Sequence, residues 1–242
     1  MRITEMRLRQ VIREELIREV LASDTPDLRG PAISVIPWGS RTFVIAYDSE
    51  LLLSRMHELD EMGINTPSQY VTSWFAPDFS RDPEMIYSGV AVTATLADGP
   101  CNGAMHVVGS ASRVRGGGWG TAVYMAALEQ FGELGPDRHS ISPSAEGLWK
   151  SLDRREEVGR HPYDDIKDPR TPDPNDDCDV RRGRSVQVNS SYRLLDEPAL
   201  AGLSEMRALG DAVQASLGDR WILAEQMLVK LFNEVFQANF GR

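Results

Sequence analysis

The sequence predicts an α/β protein of the α+β kind, in which mostly antiparallel strands are flanked by helices and further helices stand at both ends. Three observations lead there. Between Gly30 and Ser112, runs of β-branched and aromatic residues alternate with turn residues. Before, within and after that stretch, apolar residues recur at helical spacing. Of 242 residues, 41% are hydrophobic and 26% charged, enough apolar material for the core of one large domain, or of a medium domain with extensions.

The spacing predicts an amphipathic helix over Ile3 to Ser23, with Leu8, Val11, Ile12, Leu16 and Val20 on one stripe, Thr4 placed to cap it and Glu14 one turn from Arg18. A helix of this length is not stable alone, so its apolar face is expected to pack on the rest of the chain or on a partner. Asp24-Thr25-Pro26-Asp27 ends it. Ile33 to Ile36 and Thr42 to Tyr47, separated by Gly39-Ser40, predict a hairpin. Leu52, Leu53, Met56 and Leu59 predict a helix from Ser49 to Met62 that closes at Gly63. Two strands are expected over Met85 to Leu96 and Ala104 to Ser112, joined by a connection containing Asn102-Gly103. Thr121 to Phe131 reads as a helix stopped by Gly132, Arg138 to Ile141 as a short strand, and Ser142-Pro143 as the start of a helix to about Leu152. Repeated prolines and aspartates over 153–184 predict a long surface loop. Helices return over Pro198 to Leu217 and Asp219 to Phe240. The expected organisation is therefore a leader helix over 1–25, a domain over 26–195 that contains the long loop, and a helical extension over 196–242.

Composition excludes some functions. With 36 acidic against 26 basic side chains the net charge is −10, which argues against extended nucleic-acid binding through phosphate neutralisation. No window approaches the roughly 18 uninterrupted apolar residues of a membrane span, and the amino terminus has no apolar signal core, so a cytoplasmic protein is expected. Cys101 and Cys178 amount to no disulfide framework and no zinc quartet, and four scattered histidines show no ligand spacing. Asp173, Asn175, Asp177 and Asp179 alternate in the manner of oxygen ligands to a hard cation, with Asp164, Asp165 and Asp168 nearby, but the segment lacks the mid-loop glycine and closing glutamate of a calcium hand. A solvated loop paired with Arg181, Arg182 and Arg184 is the expectation, with no metal, and Cys178 among its acidic neighbours reads as structural. Most of the five tryptophans are expected in the core, with Trp119 anchoring or covering the loop it sits in.

The most informative stretch is Ser110-Ala-Ser-Arg-Val-Arg-Gly-Gly-Gly-Trp-Gly-Thr121, because it lies between a predicted strand and a predicted helix. Glycines there allow several backbone N–H groups to turn toward one point, and the helix start adds partial positive charge, which suits an anion such as pyrophosphate. No Gly-Lys-Ser/Thr follows, as a P-loop requires. The spacing of Gly116, Gly118 and Gly120 is not that of a dinucleotide fingerprint.

Arg115-Gly-Gly-Gly118-Trp-Gly120 resembles the Arg/Gln-x-x-Gly-x-Gly/Ala loop of GNAT-type N-acetyltransferases, and the order of elements over roughly residues 30 to 152 is similar to that family's. Ser142-Pro-Ser-Ala145-Glu-Gly-Leu148-Trp149 resembles more loosely its Asn-x-x-Ala-x-x-Leu-Tyr. The resemblance implies a GNAT-like, mixed but mostly antiparallel sheet and an acetyl-CoA (or other acyl-CoA) site. It implies that Ser110, Ala111 and Ser112 face pantetheine. Val114, Arg115, Gly116, Gly117, Gly118, Trp119, Gly120 and Thr121 would surround the pyrophosphate. Trp149 stands where many members have a tyrosine that protonates the departing thiolate, and an indole N–H is too weak an acid for that work.

For acyl transfer the candidate catalytic residues are His106 on the strand leading into the loop, Tyr124 one turn after Gly120, and Ser142, with His139 and Ser140 near the thiol end. The first functional reading is an acyl-CoA-dependent N-acyltransferase acting on a small-molecule or protein amine acceptor. The alternative is a catalytically silent GNAT-like fold that works as a structural or interaction protein through self-association or a partner at its terminal helices. The opening Met-Arg-Ile-Thr-Glu and Leu-Arg-Gln-Val-Ile-Arg-Glu-Glu-Leu resemble leader helices of tailed-phage proteins, and the glycine-loop region is similar to phage-encoded GNAT-like proteins. The resemblance thus implies a phage origin and a role in the host cytoplasm or the virion. A third reading, a metal-dependent hydrolase on the aspartate loop, has only His161 nearby as a histidine partner.

Overall fold

In a computed structural model the residues described are 28–72, 89–95, 101, 104–111, 118–195 and 201–240. The expected leader helix, residues 112–117 of the glycine loop, 85–88 and 96 of the third and fourth strands' region, and Trp74 lie outside them.

β1 (Pro31–Trp38) and β2 (Arg41–Asp48) form the expected hairpin, with Gly39 at φ 61° in its turn. Strand β2 is apolar along its length because both of its sides are covered: Phe43, Ile45 and Tyr47 enter one core, Val44 and Ala46 the other. Helix α1 (Ser49–Glu61) starts where Asp48 accepts the Leu51 N–H at 3.0 Å and closes at Gly63, φ 72°. After the short α2 (Pro67–Thr72) come β3 (Gly89–Thr95), β4 (Met105–Ala111), α3 (Trp119–Phe131), β5 (Glu133–Pro136) and α4 (Pro143–Leu152). Next are β6 (Val158–Pro162), the two-residue β7 (Asp164–Asp165) and β8 (Asp177–Cys178), then β9 (Ser190–Leu194), α5 (Ala201–Leu217) and α6 (Trp221–Phe240).

The large sheet has seven strands in the order β1-β2-β3-β4-β5-β9-β6, and every neighbouring pair is antiparallel except β4–β5. The chain is thus a mixed α/β protein whose mostly antiparallel sheet is flanked by helices. Leu52, Met56 and Leu59 of α1 and Leu223, Met227 and Phe232 of α6 cover one face; Val123, Tyr124 and Leu128 of α3 and Trp149 and Leu152 of α4 cover the other. Helix α5 lies along the β1 edge and feeds Leu203 to one core and Val213 to the other. It shields strand groups that would otherwise be open to pairing. No described helix is long and apolar enough to cross a membrane.

Several sequence expectations need correction. The short strand is not Arg138 to Ile141 but Glu133–Pro136, and Asp137 instead turns the chain by accepting the His139 and Ser140 N–H groups. The segment 153–184 is not all loop, since β6 occupies an outer position where Pro162 sits at the strand end, and β7 pairs with β8. Strand β9, for which the sequence raised no expectation, is inserted between β5 and β6. Cys101 and Cys178 are joined in one disulfide, Cα atoms 5.4 Å apart, tying the stretch before β4 to the acidic segment. Two of the three arginines expected to pair with the acidic loop turn elsewhere: Arg181 donates to the Arg138 carbonyl, and Arg184 lies 3.7 Å from Glu146 of α4. The loop is held by its own backbone, with Asp164 accepting from the N–H groups of Asp165, Arg170 and Thr171. Trp149 and Trp221 are buried as expected, whereas Trp38, at the hairpin tip, is exposed.

Candidate functional site

The parallel seam between β4 and β5 is short. Met105 pairs with Leu134, His106 with Gly135 and Val107 with Pro136, and there β5 ends while β4 runs on to Ala111. Pro136 has no N–H to continue the ladder. From Val108 onward the β5 side of β4 therefore has no strand partner among the described residues.

A cavity of about 270 Å³ fills the gap. One wall is β4 from Val107 to Ser110; facing it are Tyr124 of α3, Trp149 and Ala145 of α4, and the turn that carries Asp137, Ser140 and Ser142. Helix α3 begins at Gly118, whose φ of 77° favours glycine, and Gly120 sits so near α4 that a Cβ there would lie 3.0 Å from Leu148 Cδ1. That approach brings Tyr124 over the gap. Its hydroxyl donates to Ser110 Oγ at 3.0 Å, and burial pushes the phenol up to about 12 against the opposing effect of that hydrogen bond, so it is protonated at neutral pH. Trp149 is buried between Tyr124 and Tyr192, with its indole in the core. Ser142 caps α4 by accepting the Ala145 N–H at 3.2 Å. Asp137 accepts the His139 N–H at 2.8 Å and the Ser140 N–H at 3.1 Å and is the one carboxylate among the described residues that line the cavity.

The structure thus brings together Ser110, Tyr124, Ser140 and Ser142 from the sequence candidates, with Ala111 at the end of β4, and adds Asp137. An Asp-x-His-Ser turn placed just before a capped helix was the signal for Asp137. His139 is exposed. Trp119 is half-buried and packs against the α3–α4 core, as an anchor would; Thr121 follows it in the first turn of α3. Ser112, Val114, Arg115, Gly116 and Gly117 lie outside the described residues. His106 does not line this cavity: it points to the opposite face, wholly buried, where burial first and Arg138 second push its pKa down to about 4.

In the acidic segment the carboxylates of Asp164, Asp176 and Asp177 come within 4.8 Å of one another. Desolvation, then Asp164, Asp176 and Asp173, push the Asp177 carboxyl above the usual range.

No family model, curated protein or solved structure matches this chain.

Proposed function

We propose that this chain is an acyl-CoA-dependent N-acyltransferase, in the simplest case an acetyltransferase, that acts on an amine acceptor by direct transfer. The observation that carries the reading is the parting of β4 from β5 around a cavity lined by the hydroxyl-bearing Ser110, Tyr124, Ser140 and Ser142 and the carboxylate of Asp137. The fit to acyl-CoA rests on the donor set: the edge of β4 from Val108, without a strand partner among the described residues, matches the amides of an extended pantetheine arm, and the four hydroxyl-bearing residues line the cavity beside it. Bound acyl-CoA supplies the activated acyl group. Asp137 draws in the ammonium of the acceptor and receives its proton. Tyr124 turns its one hydroxyl proton from Ser110 Oγ to the leaving sulfur. With its pKa near 12 the phenol is a weaker acid than a thiol, so it stabilises the thiolate and keeps its own proton. The thiolate is protonated through solvent by the second proton released from the acylated nitrogen. The testing experiment is the melting temperature with and without excess acetyl-CoA. Ligand at about a hundred times its Kd adds about 2.7 kcal/mol, and Gly118→Asp should abolish the shift by placing a strained, negatively charged residue at the helix start.

A second reading is favoured by Trp149, whose burial between two tyrosines makes α4 a structural element. Under it the chain is a catalytically silent relative of such enzymes, with a structural or interaction role in a phage. It predicts self-association or partner binding and no response to CoA.

A further inference from the structure

Beside its hydroxyls and its carboxylate, the cavity between β4 and β5 has an apolar wall made by Val107, Ile141, Ala145 and Trp149. Val107 is the last residue of β4 that pairs with β5, through Pro136, so it stands where the strands part. Strand β4 also bulges there: Val92 faces Gly109 and Thr93 faces Val107, which leaves Val108 opposite no residue of β3. The extra residue turns Val108 to the face covered by α1 and α6 and keeps Ser110, like Val107, on the side of α3 and α4.

Trp149 bounds this apolar end. It is the largest side chain of the lining and only 1% exposed. Tyr124 and Tyr192 both pack on its ring, and each is itself held through its hydroxyl, Tyr124 to Ser110 and Tyr192 to the Gln187 carbonyl at 3.2 Å. A ring packed in this way yields little to an added methylene. One turn earlier on the same face of α4, Ala145 presents a single methyl group, so the free space lies over Ala145 and stops at the indole.

We propose that Trp149 sets the length of the acyl group, so that the site takes acetyl and rejects chains of four carbons. The inference rests on the acyl-CoA reading of the cavity. A sulfur held by Tyr124 directs its acyl group along β4 from Ser110 toward Val107, against Ile141, Ala145 and Trp149. A longer chain would have to displace the indole. The tryptophan whose N–H is too weak an acid to protonate a thiolate thereby has a steric role.

Calorimetric titration of the full, disulfide-intact chain with CoA, acetyl-CoA and butyryl-CoA tests it. The parent is expected to bind acetyl-CoA at least about tenfold more tightly than butyryl-CoA. Trp149→Phe keeps an aromatic ring between the two tyrosines and removes part of the bulk, so it should bring the two ligands within about threefold of each other. Ala145→Val narrows the same space and should weaken acetyl-CoA about tenfold relative to CoA. A general loss of stability does not alter the ratio between two ligands on one variant, so a purely structural Trp149 would leave these ratios where they are. Ala145 is half-buried, and its variant decides the matter should Trp149→Phe fail to fold. Equal affinity of the parent for acetyl-CoA and butyryl-CoA, or unchanged ratios in the folded variants, overturns the inference alone; no binding of CoA itself overturns the acyl-CoA reading and the inference with it.

Discussion

Tyr124 meets Trp149 edge to face, with ring centroids 5.0 Å apart and planes at 77°, while Tyr192 stacks on the same indole at 5.2 Å and 26°. Three elements, α3, α4 and β9, are pinned by this triplet. The wall of the candidate site is therefore also core, and its hydroxyl is aimed by packing.

Tyr124→Phe keeps the packing and loses only the bond to Ser110, so stability should fall by about 1 kcal/mol. Under the transferase reading kcat should drop about a hundredfold with little change in KM. Trp149→Ala instead opens the core and should cost about 3–5 kcal/mol in urea unfolding.

Glycine 210 of α5 packs on the backbone of β1, where a Cβ would collide with the Ile33 carbonyl. Gly210→Ala should destabilise by roughly 1–3 kcal/mol although alanine favours helix, because rigid backbone cannot yield. A melting curve decides it.

The Cys101–Cys178 bridge closes a loop of 77 residues that contains β4, α3, β5, α4 and β6. Chain-entropy reasoning assigns such a crosslink about 4 kcal/mol. Reductant should lower the melting temperature of the parent chain and leave that of Cys101→Ser/Cys178→Ser unchanged, and thiol titration of the unreduced unfolded protein should find no free cysteine.

His106 gives stability a pH dependence. Its pKa is depressed to about 4 in the folded chain, so the unfolded chain binds more protons between about pH 6.5 and 4, and stability falls as pH drops through that window. The contribution, roughly 3 kcal/mol, is fully present above about pH 6.5. His106→Asn should flatten that portion of the urea-derived stability profile relative to the parent, leaving the carboxylate part below it.

The hairpin, α1, α3 and α4 were legible because caps and apolar period agree there: Asp48, Gly63, Gly132 and Ser142 all end or start helices where expected. Strand β5 was not. Glu133-Leu134-Gly135-Pro136 has poor strand propensity, and its place is set by parallel pairing with a strand nearly thirty residues earlier, which no local pattern records. Strand β9 begins with two serines that are buried, one bonded to the Val186 carbonyl and one to Glu133, so its polarity disguised it. Of the candidate site, Tyr124 could be named from its place one turn after Gly120, and Ser110 and Ser142 from the stretches that resemble the acetyltransferase loop and helix. Asp137 was missed although its turn leaves a local signal, because its place beside the site depends on where β5 stops.

The insertion of β9 between β5 and β6 bears on how the chain is made. As the polypeptide leaves the ribosome, β1 to β4 can zip together in order of synthesis, but β6 must wait for residues 190–194 before it has a neighbour. The half of the sheet next to the cavity is assembled last and from distant pieces, the slow and exposed kind of strand pairing. Truncations before β9 should accumulate as unfinished, aggregation-prone chains, whereas the amino-terminal meander can form while translation continues.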